Sequence, residues 1–252
     1  MKIHFSIAKH KKAKLVSNDL LNLYGQEEVS KAEVIVAVGG DGAMLAAMRE
    51  SILYNIPVFG LNRGNIGFLM NEYNDSNLID RLKEANEILV HPLEMIALDT
   101  QDQKHTELAI NEVAIFRRTH QSAIISIKID DTERLNELTC DGIMVATPVG
   151  STAYNLSAHG SILPLDSNIL ALTPISAFRP RRWRGALLSE ISKIDFEVLN
   201  NDERSSSVTA DNVEFRDISK VNIVSSDENK CTVLFDSKHS IEDKILNEQF
   251  NY

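Results

Sequence analysis

The sequence predicts two domains of different class, an N-terminal α/β domain with a Rossmann-like parallel sheet and a C-terminal, mostly antiparallel β domain. Strand and helix patterns alternate over residues 1–92, which is typical of a parallel sheet covered by helices. Short strands follow one another over residues 93–236 with turn signals and no helices between them, as in antiparallel sheets. The chain has 252 residues, 43% of them hydrophobic, so each domain can bury a core.

The N-terminal domain is predicted from apolar runs that lead into helical spacing. Val34–Val38 is apolar and β-branched without alternation, which indicates a strand covered on both faces. Gly25 is expected to end the helix before it. The predicted elements are, in order, the strand KIHFSIA, the helix KAKLVSNDLLNLYG, the strand Val34–Val38, a helix from Ala43 to about Tyr54, the strand IPVFGLN and the helix NDSNLIDRLKEANEI.

The C-terminal domain is predicted from short apolar stretches bounded by turn residues. After them, helical spacing returns in HSIEDKILNEQF, and we expect a helix over 237–252 that packs back on the first domain. The predicted strands are LEMIALDT, AINEVAIFRR, AIISIKID, GIMVATPV, KIDFEVLN, SVTADNVEF, KVNIVSS and CTVLF.

The charge balance restricts the kinds of partner. A formal net charge of -10 argues against a general electrostatic attraction to nucleic acid or to an anionic membrane, so we expect neither as a partner. Cys140 and Cys231 lie far apart without metal-ligand spacing, which favours two reduced thiols. No apolar run is long enough for a signal peptide or a membrane span, and we expect a cytoplasmic protein.

The sequence GGDG follows the strand Val34–Val38 directly. Gly39, Gly40 and Gly42 allow positive φ and close approach of a ligand, and amides at a helix start suit a phosphate, so we predict that they bind phosphate. Neither the Walker P-loop nor the GxGxxG fingerprint is present. Asp41 beside bound phosphates would hold a metal, accept a proton or grip a ribose hydroxyl. The alternative is a tight turn in which Asp41 caps the following helix.

Two further stretches place polar groups at predicted strand ends. GLNRGNIGFL, residues 60–69, follows a strand of the parallel sheet with more glycine than a surface turn needs. In INEVAIF, residues 110–116, Asn111 and Glu112 are adjacent in an apolar strand. Adjacent strand residues point to opposite faces, so both can serve one site only at a strand end or bulge. The alternative is a strand start with one solvated acid.

The stretch CDGIMVATPVGSTAYNLSAHGSIL, residues 140–163, has the highest density of polar side chains beside glycine. Hydroxyl and amide groups next to flexible backbone can recognise the edges of a base or a ribose. The alternative is a long polar loop. The polar residues are Asp141, Thr147, Ser151, Thr152, Tyr154, Asn155 and Ser157.

Together these motifs resemble the NAD kinase family, which phosphorylates the 2′-hydroxyl of the adenosine ribose of NAD. The resemblance rests on GGDG, NRGNIGFL, the Asn111-Glu112 pair and DGIMVATPVGSTAYNLSA, in that order. GGDG alone also resembles diacylglycerol kinase-like and phosphofructokinase-like enzymes. The resemblance implies an α/β domain carrying GGDG, a β domain that contributes most of the NAD pocket, the dinucleotide bound between them, and a homo-oligomer, often a tetramer.

The resemblance also implies roles for single residues. Asp41 would meet the acceptor hydroxyl as the catalytic residue, and Asn111 and Glu112 would hold the ribose and phosphates. Gly42 would adjoin the substrates, and Phe68 could pack on the adenine. The remaining NAD-pocket residues would be Asp141, Thr152, Ala153, Tyr154 and Ser157.

The chain departs from the family pattern at several positions. Ala43 and Val149 stand where the family usually has threonine, and the first change removes a hydroxyl that could contact phosphate or ATP. His159 and Ser161 replace a usual glycine and proline. The segment AFRPRRWRGALL, residues 177–188, is more basic than expected, and we favour a solvated loop or subunit contact over a phosphate clamp.

The chemistry requires charge neutralisation as well as a base. ATP would meet an acidic protein with no Walker lysine, so Mg²⁺ or another divalent cation is predicted as cofactor, with protein ligands left open. A lipid or sugar kinase sharing GGDG, and a dinucleotide-binding regulator without catalysis, remain alternatives. The sequence leaves open the donor among ATP, other triphosphates and polyphosphate, the use of NADH, and feedback regulation.

Overall fold

The computed structural model describes residues 1–9, 11–64 and 67–237. The chain forms two compact units, one made of Met1–Val90 with the chain from Asn229 onward, the other of His91–Glu228. The helix predicted over 237–252 lies outside the described residues apart from Ser237.

Strands dominate the second unit, whereas the first combines strands and helices. The helices are α1 (Lys11–Tyr24), α2 (Asp41–Tyr54), α3 (Leu78–Glu84) and α4 (Tyr154–Ser157). The strands are β1 (Ile3–Ile7), β2 (Val34–Gly39), β3 (Val58–Asn62), β4 (Asn86–Val90), β5 (Leu93–Asp99), β6 (Lys104–Ala109), β7 (Glu112–Arg117), β8 (Ala123–Ile129), β9 (Thr132–Cys140), β10 (Gly142–Ala146), β11 (Ile169–Ile175), β12 (Ala186–Ser189), β13 (Ile194–Val198), β14 (Ser206–Ala210), β15 (Val213–Arg216), β16 (Ile218–Ser225) and β17 (Cys231–Phe235).

The first unit contains one sheet with the strand order β1-β2-β3-β17-β4. Strands β1, β2, β3 and β17 are mutually parallel, as predicted, but β4 is antiparallel to β17, so the sheet is mixed. Every residue of β2 is buried, which agrees with its unbroken apolar sequence. Its carboxyl end therefore brings GGDG to the edge where ligands of open α/β sheets bind.

Two predictions for this sheet are wrong. We expected CTVLF in the second domain, but it forms β17 between β3 and β4. We also expected a helix through residue 88, whereas α3 ends at Glu84 and the next residues pair with β17 as β4. Pairing with a strand from the far end of the chain outweighs the local helical spacing, which a sequence window cannot register.

Helices α1 and α3 pack on alternate residues of the sheet. Their buried side chains, among them Leu20 of α1 and Leu78 of α3, join Phe5, Val36 and Phe59 in one apolar cluster. Helix α1 ends at Tyr24, and Gly25 follows with φ +76°, a left-handed conformation that glycine adopts at little cost. The predicted stop at Gly25 is confirmed.

The second unit consists of two six-stranded sheets with the orders β12-β11-β10-β7-β14-β15 and β6-β5-β16-β13-β8-β9. All of their strand pairs are antiparallel, as predicted for this part of the chain. Side chains of both sheets, such as Ile115 of β7 and Phe196 of β13, form a common core. The strands β6, β9, β11 and β12 were not predicted: β6 and β9 are rich in polar residues, β11 contains a proline, and β12 has only 4 residues.

None of the helices in the described residues is both long enough and apolar enough to cross a membrane.

Candidate functional site

The GGDG sequence forms the junction between β2 and α2. Gly39 is the last residue of β2, Gly40 is the N-cap of α2, and Asp41 is its first residue. Gly40 has φ −118° and ψ −169°, an extended conformation open to any residue. Positive φ, which we expected to explain the glycines, is therefore not used at Gly40.

The Asp41 side chain reaches the loop after β3. Its Oδ2 accepts the backbone N–H of Phe68 at 3.0 Å and its Oδ1 accepts that of Leu69 at 3.1 Å. Gly40 holds the N-cap position and Asp41 follows it, so the alternative in which Asp41 is the N-cap is wrong. The half-buried carboxylate links the turn after β2 to the glycine-rich loop after β3.

Gly42 is exposed, and a Cβ built on it would meet no protein atom within 4 Å. Neither backbone conformation nor packing of the described residues therefore requires glycine here. A bare backbone at the start of a helix leaves room for a phosphate against the amides. Ala43 is half-buried in the same turn and donates its N–H to the Gly40 carbonyl.

The loop after β3 is bonded to the end of β2. The carbonyl of Gly39 accepts the N–H groups of Arg63 at 2.6 Å and Gly64 at 3.1 Å. Gly60 is closely packed, because a Cβ there would lie 2.7 Å from Met70 Sδ and 3.1 Å from the Leu69 carbonyl oxygen. The glycines of this stretch thus serve close packing at least in part.

Residues beyond this loop anchor it to β17 through polar contacts that the sequence did not reveal. The fully buried Asn71 donates its Nδ2 hydrogen to the Leu234 carbonyl at 3.1 Å and accepts the Asp236 N–H at 2.9 Å. Arg81 of α3 forms a bidentate pair with the Asp236 carboxylate at 2.9 and 2.6 Å. The end of β17 therefore fixes the chain that follows the glycine-rich loop.

In the second unit, Asn111 and Glu112 lie where the chain passes from one sheet into the other. Strand β6 ends at Ala109 in one sheet, and β7 begins at Glu112 in the other. The prediction of a continuous strand over 109–118 is wrong, whereas the strand start required for Asn111 and Glu112 to serve one site is present. We call residues 110–112 the corner.

One carboxylate pairs with the N–H groups of this corner. Asp211 accepts the N–H of Ile110 at 2.9 Å, that of Asn111 at 2.8 Å and that of Glu112 at 3.3 Å. The backbone N–H of Asp211 in turn donates to the Glu112 carbonyl at 3.0 Å. Sequence reasoning missed Asp211, because SVTADNVEF was predicted as a single strand, whereas the structure has a hairpin there with Asp211 in its turn.

The Glu112 carboxyl has an unusual environment. Burial, with the negative charge of Asp211 as the second cause, raises the pKa of Glu112 to about 7. Its buried Oε2 has no hydrogen-bond partner among the described residues. A polar atom of this kind is costly unless something else pairs with it, so Glu112 is a strong candidate for ligand contact.

Three of the polar side chains in residues 140–163 are buried and form hydrogen bonds within the protein. Thr147, Ser151 and Asn155 are buried, and their side chains bond to the chain around them: Thr147 Oγ1 donates to the Ile110 carbonyl, Ser151 Oγ to the Pro148 carbonyl, and Asn155 Nδ2 to the Ser161 carbonyl. These groups shape the segment and are not available to read a base. The expectation that they contact a ligand is therefore wrong.

Close packing requires glycine at three positions of the same segment, and a Cβ on the first of them, Gly142, would overlap the Ile115 carbonyl. A Cβ on Gly150 would overlap the Asn111 carbonyl, and a Cβ on Gly160 would overlap the Asn155 amide. Between them, His159 adopts φ +64° at a position where the resemblance expects glycine. The segment thus lies directly against the corner, and its backbone leaves no space for side chains there.

The predicted pocket residues of this segment are the accessible ones. Thr152 and Ala153 are half-buried, and Tyr154 and Ser157 are exposed. The Tyr154 ring stacks on Phe116, with centroids 5.9 Å apart and planes at 28°. Gly150 lies against the start of β7 and Tyr154 against its end, so this face runs alongside the strand.

Asp141 immediately precedes β10 and forms an ion pair. Arg117, the last residue of β7, donates its Nε hydrogen to Asp141 Oδ1 at 2.6 Å and its backbone N–H to the Asp141 carbonyl at 2.9 Å. Both side chains remain partly exposed. Arg117 orients Asp141, a partnership that the sequence did not indicate.

The structure shows the surroundings of two departures from the family pattern, Val149 and the arginine-rich segment. Val149 is 3% exposed, so a threonine hydroxyl there would be buried. In the segment 177–188, the guanidinium groups of Arg179 and Arg181 lie over the exposed Phe178 ring, and Trp183 packs partly on the core. These arginines lie at a surface of the second unit, as expected for a solvated loop or subunit contact.

The described residues offer no ready-made cage for a metal ion, because no three His, Cys, Asp or Glu side chains cluster there at ligand distances. The described residues therefore fit a divalent cation only if phosphate oxygens and water provide most of its ligands, as they often do for Mg²⁺.

Comparison with known proteins assigns the family. A model of the ATP-NAD kinase N-terminal domain matches residues 2–88, and one of the ATP-NAD kinase C-terminal domain matches residues 110–233. This chain belongs to the ATP-NAD kinase family. The match does not support the lipid-kinase, sugar-kinase or regulator alternatives.

Individual NAD kinases are similar over nearly the whole chain. The NAD kinase of Caulobacter vibrioides is 50% identical over 228 residues, 90% of this chain and 88% of that protein. The NAD kinase of Mesorhizobium japonicum is 49% identical over 240 residues, 95% of this chain and 93% of that protein. The crystal structure of an NAD kinase from Archaeoglobus fulgidus in complex with ATP has a TM-score of 0.74 at 23% identity, covers 94% of this chain and 95% of that chain, and shares the fold.

Proposed function

We propose that this ATP-NAD kinase family member transfers the γ-phosphoryl group of ATP to the 2′-hydroxyl of the adenosine ribose of NAD. The bond from the 2′-oxygen to phosphorus forms, the bond from phosphorus to the β,γ-bridging oxygen breaks, and NADP and ADP are the products. The hydroxyl proton goes to a carboxylate. The observation that carries the proposal is the Asp41 carboxylate, held by two backbone amides in the first turn of α2.

Asp41 would act on the proton late in the reaction. A ribose hydroxyl is a far weaker acid than a carboxylic acid, so full deprotonation before transfer is unfavourable. As bonding to phosphorus develops in a loose transition state, the hydroxyl becomes acidic and a positioned carboxylate can accept its proton. The two N–H contacts fix both carboxylate oxygens, which reduces the reorganisation needed at that moment.

The phosphates would lie against the amides at the start of α2. Gly39 and Gly40 bring the main chain to that point, and Gly42 leaves the approach open. The GGDG turn lacks the lysine that follows the glycines of a Walker P-loop. We therefore propose Mg²⁺, or another divalent cation, as cofactor; when bound, it would neutralise phosphate charge.

The residues proposed to contact the dinucleotide offer different chemical groups. Asn111 and Glu112 offer an amide and a carboxyl to ribose and phosphate, and Asp141 is held in place by Arg117. Phe68, half-buried beside Asp41, would pack on the adenine. The accessible face formed by Thr152, Ala153, Tyr154 and Ser157 supplies hydroxyl groups and a ring along β7.

We also propose a cytoplasmic homo-oligomer, a tetramer by resemblance to the family. The exposed Phe178 and the arginines that cover it are one surface suited to a subunit contact. Light scattering after size exclusion measures the mass directly, and a monomeric mass at micromolar concentration would contradict this part of the proposal.

The activity is tested by incubating the purified chain with NAD, ATP and Mg²⁺ and measuring NADP with an NADP-specific dehydrogenase. We expect NADP to form, to disappear on addition of EDTA and to return with excess Mg²⁺. Diacylglycerol and a sugar panel serve as competing acceptors. Phosphorylation of either of these, with none of NAD, would contradict the proposed function.

A further inference from the structure

At the corner, backbone N–H groups lack the carbonyl partners that a neighbouring strand would provide. Between β6 and β7 the chain changes sheets, so the N–H groups of residues 110–112 cannot all pair with neighbouring strands. Buried backbone donors are nearly always paired in folded proteins. At this corner the partner for all three is the Asp211 carboxylate.

The β14–β15 hairpin presents this carboxylate. Asp211 is the first residue of the two-residue turn that joins Ala210 to Val213, and its φ of 49° is one that aspartate tolerates better than most residues. Its N–H bonds to the Glu112 carbonyl while its Oδ1 accepts the Glu112 N–H. Hairpin and corner are therefore bonded in both directions.

We propose that Asp211 is a positioning residue of the dinucleotide site, whose carboxylate fixes the Asn111–Glu112 main chain and presents a negative charge to the Glu112 carboxyl. This inference rests on the proposed function, because it assigns Asn111 and Glu112 to the ribose and phosphates. Asp211 acts through these residues and does not itself contact the substrate.

Among the described residues, Asp211 is the one charged group that acts on the pKa of Glu112. Ala146, opposite Glu112 on β10, and the adjacent Thr147 are uncharged, and the facing strand β14 ends in Ala210. Asp211 is the charged group that, together with burial, raises the pKa of Glu112. Ionised Glu112 can accept hydrogen bonds from ribose hydroxyls, and burial, with the charge of Asp211 as the second cause, moves the formation of this ion to higher pH.

The decisive variant is Asp211→Asn. Asparagine tolerates the same backbone conformation but places an NH₂ group where one oxygen accepted an N–H, and it removes the charge. We expect kcat/KM for NAD to fall about 10- to 100-fold, as for the loss of a charged hydrogen bond. We also expect the Glu112 carboxyl, followed by ¹³C NMR of the labelled side chain, to titrate at lower pH than in the wild type.

The matched control is Asp130→Asn. Asp130 also begins a two-residue turn, with φ 51°. Its N–H donates to the Lys193 carbonyl at 2.9 Å, and its Oδ1 accepts the Lys193 N–H at 2.9 Å, which is the same reciprocal pair that Asp211 forms with Glu112. It belongs to the β8–β9 turn of the same unit. We expect it to lower stability, because it weakens an amide-to-carboxylate hydrogen bond of the same kind, while leaving kcat/KM and the Glu112 titration unchanged.

The outcomes are distinguishable. The positioning role is overturned if Asp211→Asn retains wild-type kcat/KM, or if the Glu112 titration is the same in wild type and Asp211→Asn. If the wild-type chain fails to phosphorylate NAD, the proposed function fails, whereas the NMR titration still reports whether Asp211 controls the Glu112 charge.

Discussion

The carboxylate of Asp41 accepts the backbone N–H of Phe68 at 3.0 Å, which joins the start of α2 to a loop from the neighbouring strand. A side chain whose two oxygens both accept amide hydrogens has little rotational freedom. The acid that the sequence marks as catalytic is thus preorganised by main-chain donors, and its geometry depends on the glycine-rich loop as much as on GGDG.

Replacement of Asp41 by asparagine removes the proton acceptor. Turnover of the Asp41→Asn variant should fall by about 10²- to 10⁴-fold, since this is the typical contribution of general base catalysis. Its affinity for NAD, measured by calorimetry, should remain close to that of the wild type. Asp80→Asn, which removes an exposed acid from the first turn of α3 in the same unit, is the control and should keep full turnover. Equal rates in both variants would refute the role of Asp41.

The Gly42→Ala variant should change the binding of ATP without lowering the stability of the fold. The added methyl meets no protein atom, and alanine favours a helix over glycine, so thermal unfolding should show stability unchanged or raised by up to about 1 kcal/mol. The methyl would occupy the approach of the phosphates, so KM for ATP should rise about tenfold or more. An unaltered KM would show that phosphate lies elsewhere.

Gly150→Ala should behave in the opposite way. Its methyl overlaps the Asn111 carbonyl, a main-chain atom that cannot move aside alone. We expect a loss of about 1–3 kcal/mol in the free energy of unfolding, as for overpacked cores, together with weaker NAD binding. Urea titration measures the first and calorimetry the second. Wild-type values for both would contradict the observed contact between the segment and the corner.

Glu112→Gln should change how stability depends on pH. The pKa of Glu112 is raised to about 7 in the folded chain, so its stabilising contribution is complete below pH 4.5 and is lost as the pH rises to about 7. Glutamine does not ionise, so relative to the wild type the variant should gain at most about 3 kcal/mol between these limits. Urea titrations at pH 4.5 and 8 measure this gain, and an equal difference at both values would exclude the shift.

His159→Gly should relieve backbone strain. His159 has φ +64°, and the left-handed region costs a non-glycine residue roughly 1–2 kcal/mol. Glycine removes this cost, but it also makes the unfolded chain more flexible, which offsets part of the gain in stability. We expect a gain of about 1 kcal/mol in calorimetric stability, with turnover unchanged because the side chain is exposed. A lower melting temperature would mean that His159 makes a compensating interaction.

Local signals explain what the sequence predicted correctly. The apolar run Val34–Val38 followed by GGDG identified a buried strand and its carboxyl end, and Gly25 identified the end of α1. The adjacency of Asn111 and Glu112 required a strand end, and the structure has one there. In each case a few neighbouring residues carry the whole physical reason.

Long-range contacts explain the rest. Asp211 is separated by 99 to 101 residues from the corner that it holds, so no local window connects them. Thr147, Ser151 and Asn155 look like ligand-binding groups in sequence, and only the folded chain shows that their hydrogen bonds are internal. Strand β4 was assigned to a helix because its partner, β17, comes from the far end of the chain.

The position of β17 has a consequence for biosynthesis. It lies between β3 and β4 although the whole second unit separates it from β4 in the sequence, so β4 has no hydrogen-bonded neighbour in its sheet until residues 231–235 have left the ribosome. The second unit, by contrast, is continuous from His91 to Glu228 and can close its sheets during translation. The sheet of the first unit can therefore be completed only after the second unit has been synthesised, and a nascent chain arrested before residue 231 would carry Asp41 on an incomplete sheet.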